Sequence, residues 1–137
     1  MQLDVRLLRK ILNTIQEKDS HYTSVKNILE DVKTDYEEID KETFKDLFYG
    51  HLLLLKDNKV IEEVSNTLNL GLGYNINGQM ITNPCFIRLT SSGYDYLKML
   101  NKNGFIDKIK NLTLTEGLKI GEFLIVEYAK QKFSTLL

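Results

Sequence analysis

The sequence predicts an α+β fold, mainly helical, in a single domain. Three observations carry this. Apolar residues recur at helical spacing three times before residue 58 and again after residue 90. Two strand-like runs, Val60 to Val64 and Cys85 to Leu89, interrupt that rhythm. Between them, Ser65 to Pro84 is rich in Asn and Gly, as an insertion joining two paired strands would be. With 137 residues, 42% hydrophobic and 27% charged, the chain has an ordinary globular composition and enough length for one core.

The first helix opens at Asp4, whose carboxylate suits the free amides of a first turn. Leu7, Leu8, Ile11, Leu12 and Ile15 form its apolar stripe over about four turns, with Arg6, Arg9, Lys10 and Asn13 opposite. A second helix runs from about Ser24 to Val32 on Val25, Ile28, Leu29 and Val32. Thr34 to Asp40 is an acidic connector with room for one short helical turn. The third helix starts after Asp40 and buries Phe44, Leu47, Phe48, His51, Leu52 and Leu55. Asn58 is its expected stop, being tolerant of left-handed backbone.

After the first strand run comes the insertion, where Asn77-Gly78 is a two-residue hairpin signal. Its flanks, Tyr74-Asn75-Ile76 and Gln79-Met80-Ile81, are expected to pair. Pro84 precedes the second strand run, where a missing amide costs little. Thr90-Ser91-Ser92 offers hydroxyl caps for another helix, with Tyr94, Leu97, Met99 and Leu100 as its apolar face. A short helical piece over Phe105 to Leu112 and a last helix from Leu114 to about Phe133 complete the chain. The divisions are thus 1–58 for a three-helix core, 59–90 for a β-ribbon and 91–137 for C-terminal helices. Three helices followed by a β-ribbon is the order of a winged helix-turn-helix, here with a long wing insertion and a C-terminal helical extension.

Several function classes drop out on composition. One cysteine, Cys85, makes neither an intramolecular disulfide nor a four-cysteine zinc site. The apolar runs Leu52 to Leu55 and Phe123 to Val126 are far too short to span a membrane. The N-terminus shows no apolar signal-peptide core. A cytoplasmic protein is therefore expected, without cofactor or metal. A formal charge of -1 supplies no overall electrostatic footprint for nucleic acid.

Some runs carry a family resemblance. Leu3-Asp4-Val5-Arg6-Leu7-Leu8-Arg9-Lys10-Ile11-Leu12, then His51-Leu52 through Leu54-Leu55, then Val60-Ile61-Glu62, resemble a bacterial and prophage family known as domain of unknown function 2513. The most specific stretch is Arg88-Leu89-Thr90-Ser91-Ser92-Gly93-Tyr94-Asp95-Tyr96-Leu97, and Leu112-Thr113-Leu114-Thr115 is also similar. The resemblance spans most of the chain and implies a winged-helix-like fold in phage or mobile-element gene sets, with no assigned activity. Lys59 departs from the family's usual glycine after the third helix, and Ser91 from its usual aromatic.

No catalytic constellation stands out. His51 falls on a core stripe and Cys85 at the start of a strand, so both read as buried structural residues; no enzyme is expected. The carboxylates Asp35, Glu37, Glu38, Asp40, Glu42 and Asp46 lack the glycine-centred spacing of a calcium loop and read as a solvated face. Gly71-Leu72-Gly73 opens no helix, so it reads as part of a hairpin and not as a phosphate loop.

Two binding surfaces remain. If DNA is the ligand, Lys41, Thr43, Lys45 and Tyr49 are expected on the open face of the third helix, interleaved with Glu42 and Asp46. From Ser65 to Ile87, however, no residue is charged, which removes the cations a wing normally brings to phosphate. Leu70, Leu72, Tyr74, Ile76 and Met80 in that insertion form either an intramolecular cover or a surface for a protein partner. In the last helix, Phe123 and Val126 point away from the main stripe and are expected to make a homodimer. The leading expectation is a DNA-binding transcriptional regulator linked to phage or mobile elements. The alternative is a protein–protein interaction module, such as a phage accessory or anti-defence factor, on the same scaffold without DNA.

Overall fold

Among the described residues, four short polar side chains start four α-helices. The structure, a computed structural model, describes residues 3–18, 20–64 and 69–102. Asp4 accepts a hydrogen bond from the Leu7 amide at 3.1 Å and starts α1 (Val5–Glu17). Ser24 accepts from the Asn27 amide at 3.4 Å and starts α2 (Val25–Lys33). Asp40 accepts from the Thr43 amide at 3.0 Å and starts α3 (Lys41–Asp57). Thr90 accepts from the Gly93 amide at 3.0 Å and starts α4 (Ser91–Leu100). Each satisfies an amide that has no partner within its own helix. A 3-10 turn, Thr34–Tyr36, lies in the acidic connector between α2 and α3.

The strands are β1 (Thr23–Ser24), β2 (Ile61–Glu63), β3 (Leu72–Tyr74), β4 (Met80–Thr82) and β5 (Phe86–Leu89). β1, β5 and β2 form one antiparallel sheet in that order; β3 and β4 form a separate ribbon. Periodicity did not disclose β1, because two residues are too few for an alternation. Its pairing of Thr23 with Ile87 and Ser24 with Phe86 is made by tertiary contact. In the sheet, Ile61, Ile87 and Leu89 are buried, while Glu62 and Arg88 pair as ions on the outer face.

The result is an α+β fold in which α1 packs on α2, α3, α4 and β5. Leu7, Leu8, Ile11 and Leu12 meet Ile28, Phe44, Phe48, Leu52 and Leu97 in one core. On α4 the exposed aromatic is Tyr94 and the buried one Tyr96, the reverse of what the stripe suggested. The short helix at 105–112, the last helix and the dimer candidates Phe123 and Val126 lie outside the described residues.

Helix α3 ends differently from expectation. Asn58 keeps φ at -91°, and Lys59 takes the left-handed backbone at φ 59°. The Lys59 amide donates to the Lys56 carbonyl at 3.0 Å and the Val60 amide to the Leu55 carbonyl at 2.9 Å. This is the Schellman arrangement, which usually has glycine at the left-handed position. Exposed Lys59 bears the strain of its own Cβ there. Lys59→Gly is therefore expected to stabilise the fold by about 0.5–1 kcal/mol, after glycine's own entropy cost. Urea midpoints of the two proteins check this, and a less stable variant would mean that the lysine side chain makes a contact outweighing the strain.

Candidate functional site

The open face of α3 begins at its cap. Lys41, Glu42, Thr43 and Asp46 are exposed and Lys45 is half-buried. Bonds from the Thr43 hydroxyl and amide hold the Asp40 carboxyl below the usual carboxylate range, so it is an anion at neutral pH. The face thus offers two cations among three carboxylates. Tyr49 does not belong to it. Tyr49 is 6% exposed and packs edge-on against Phe48 at 5.4 Å between ring centroids. Burial, with Cys85 nearby, pushes its hydroxyl pKa up. The helical wheel places Tyr49 outside the α1-facing stripe, yet it belongs to the same buried core as Cys85 just before β5. Of the four residues expected on the open face of α3, Lys41, Thr43 and Lys45 lie there and Tyr49 does not.

The insertion divides into a buried root and an exposed tip. At the root, Leu70 is 1% exposed and belongs to the core, with Leu72 and Met80 packed against it. Leu70 is thus no partner contact. Asn69, Leu70 and Gly71 all take positive φ, in a short 3-10 turn with left-handed backbone. Glu63 holds this turn by accepting the Leu70 amide and pairing with Lys56 of α3 at 3.0 Å. The Gly71 carbonyl accepts the Asn83 amide at 2.8 Å, closing the two ends of the insertion together. One carboxylate therefore ties the ribbon's root to α3.

The ribbon pairs Leu72 with Thr82, Gly73 with Ile81 and Tyr74 with Met80, further from the turn than the sequence suggested. A two-residue Asn-Gly turn needs both residues at positive φ, and only Gly78 (φ 77°) has it. The Gly78 amide donates to the Asn75 carbonyl at 3.0 Å, which makes a three-residue loop of Ile76, Asn77 and Gly78. The Asn75 side chain sets this choice: its Oδ1 accepts from the amides of Asn77 and Gln79 at 3.0 and 2.9 Å. Of the expected partner residues, Tyr74 and Ile76 are exposed, at 72% and 104%.

A third feature was visible in sequence only as a basic group. Arg6, Arg9 and Lys10 of α1 line a cleft of about 490 Å³ with Asp35, Tyr36 and Asn101. Lys10 pairs with Asp35 at 2.8 Å, and burial pushes the Tyr36 hydroxyl up to about 12. The amides of Asn13 and Asn101 bond to each other at 3.1 and 3.3 Å across the α1–α4 contact. These mutual pairings account for much of the cleft's polarity.

His51 and Cys85 are both buried, as expected of structural residues. Among the described residues no cluster of His, Cys, Asp and Glu is placed to hold a metal, and no helix is long and apolar enough to cross a membrane. Compared with protein-family models, curated proteins and solved structures, the chain finds no match.

Proposed function

We propose that the chain is a non-enzymatic winged helix-turn-helix protein acting as a DNA-binding transcriptional regulator, of the phage-linked kind its sequence resemblance implies. The strand order β1-β5-β2 behind α2 and α3, with a ribbon between β2 and β5, supports the winged-helix reading. The observation that carries DNA binding is the placement of Lys41, Thr43 and Lys45 in the first turns of α3, the second helix of the helix-turn-helix. Recognition helices present their N-terminal residues to the groove. Charge on this face is mixed, so affinity rests on few phosphate contacts.

Lys41→Ala together with Lys45→Ala is expected to weaken binding to duplex DNA and to reduce the slope of log affinity against log salt by about two units. Fluorescence anisotropy on a labelled duplex over a salt series measures this. An unchanged slope removes α3 from the interface. The exposed Tyr74 and Ile76 on an uncharged ribbon favour a second reading, a protein–protein interaction module without DNA.

A further inference from the structure

We infer that the β4 edge of the ribbon pairs with the same edge of a second copy of this chain, joining two ribbons into one antiparallel sheet about a two-fold axis at Ile81. The ribbon is two-stranded, so each of its strands has an outer edge with no strand beside it among the described residues. Its own hydrogen bonds fix which groups lie on those edges. The Asn75 amide donates to the Gln79 carbonyl at 2.9 Å, and the Asn83 amide to the Gly71 carbonyl at 2.8 Å. In antiparallel strands bonded pairs alternate with unbonded ones. Gly73 and Ile81 are therefore the bonded pair between these two. The pairs Tyr74–Met80 and Leu72–Thr82 turn their amides and carbonyls outward. Of the two edges, β4 is the open one. Ile81 is 44% exposed, and Thr82 and Asn83 are exposed too, whereas Leu72 and Gly73 of β3 are half-buried.

An open edge is a template for another strand, and proteins guard it with charges, proline or a bulge. β4 has none of these. No residue from Ser65 to Ile87 is charged, Pro84 stands beyond the end of the strand, and the pairing with β3 is regular. Symmetry favours a second copy as the occupant. In a two-fold antiparallel pairing the central residue faces its own copy, so a charged edge repels itself and a neutral one does not. With the axis at Ile81, Met80 of each copy meets Thr82 of the other. The two exchange amide-to-carbonyl bonds through the groups that β3 leaves unused. Ile81 bonds inward to Gly73, so across the axis it forms an unbonded pair with Ile81 of the other copy, the arrangement that brings side chains closest. Further out Gln79 faces Asn83, and Pro84, which has no amide, ends the pairing. Because β3 is half-buried, the sheet closes at two copies and does not grow.

Sedimentation equilibrium of the full chain from about 1 µM to about 1 mM covers the affinities expected of so small a contact. Wild type is expected to dimerise within that range. Ile81→Lys sets like charges at the axis, and Thr82→Pro removes an outward amide that β3 does not use. Each is expected to weaken the dimer by about tenfold or more while melting at the wild-type temperature. Cross-linking reads the register. Ile81→Cys is expected to form an intermolecular disulfide in air, since its two copies stand about 4.5 Å apart at Cα, within disulfide range. Gln79→Cys, whose copies stand about 14 Å apart in this register, is not, nor is wild type with buried Cys85 alone. A wild type that stays monomeric to about 1 mM overturns the pairing and leaves the edge to a strand from another protein. Ile81→Lys dimerising as wild type does overturns it too, and if Phe123→Glu with Val126→Lys dissolves that dimer, the contact lies in the C-terminal segment. Gln79→Cys cross-linking as well as Ile81→Cys would reject the axis at Ile81. No readout involves DNA, so the pairing can fail with the α3 reading intact.

Discussion

Gly93→Ala is expected to destabilise the fold by about 3 kcal/mol, the upper end of overpacking, because what it meets cannot move aside. A Cβ on Gly93 would stand 2.1 Å from the Val60 carbonyl oxygen and 3.2 Å from its carbon. Both atoms are backbone. The same oxygen accepts the Thr90 amide and the Thr90 hydroxyl, each at 3.1 Å. Val60 in turn closes the end of α3 through its bond to Leu55. The first turn of α4 therefore clamps the corner where α3 passes into β2. A methyl group there separates the two. Urea unfolding compares this variant with Ser92→Ala, at an exposed neighbour, which should stay within about 0.5 kcal/mol of wild type. A Gly93→Ala midpoint equal to wild type would show that α4 moves away without cost.

The second expectation concerns His51, fully buried on α3. Its Nε2 accepts the Asp4 amide at 2.9 Å, and its Nδ1 lies 2.8 Å from the Leu47 carbonyl. A carbonyl only accepts, so Nδ1 carries the hydrogen and donates it. An accepting Nε2 carries none. The ring is the neutral Nδ1–H tautomer, set by its two partners. Burial holds its pKa below the ordinary value of 6.5, against raising effects from the Leu47 carbonyl and the Asp4 carboxylate. The sign of the pH dependence follows. Above 6.5 the ring is neutral folded and unfolded, and its full contribution is present. As pH falls below 6.5, the unfolded chain takes up a proton that the folded chain refuses. Stability is then lost by up to about 1.4 kcal/mol per pH unit, until the lowered folded pKa is reached. Urea unfolding at pH 8, 6.5 and 5 should show this loss. His51→Gln should be less stable than wild type at pH 8 and lack His51's share of the slope. His51→Ala should cost about 2–4 kcal/mol at pH 8, from the cavity and the orphaned Asp4 amide. A wild-type slope unchanged in His51→Gln would assign the titration elsewhere.

Gly93 and His51 differ in how far sequence led to them. Gly93 lies in the most specific stretch of the family resemblance, but why glycine is needed is a distance to a residue far away in the chain. The core position of His51 followed from its spacing to Leu47 and Phe48. Its bond to the start of α1 did not, because nothing local relates residues 4 and 51. Likewise, the insertion's apolar residues formed one group in sequence, and the Glu63-held root separated buried Leu70 from exposed Ile76.

The sequence by itself determined the four described helices with their caps, the two runs that become β2 and β5, the hairpin within the insertion and the absence of charge along it. All of these are local: caps reach three residues, periodicity spans one element, and turn chemistry needs a few residues of backbone. Only the tertiary structure decided that Thr23–Ser24 is a strand, that Tyr49 is buried, that Lys59 bears the left-handed backbone, and that Asn75 enlarges the Asn-Gly turn to three residues. β1 and Tyr49 depend on segments distant in sequence. The other two depend on competition between hydrogen-bonding partners, which residue type alone does not rank. A helix shows which of its residues are apolar; how many of its faces are covered is set by the elements that arrive against it.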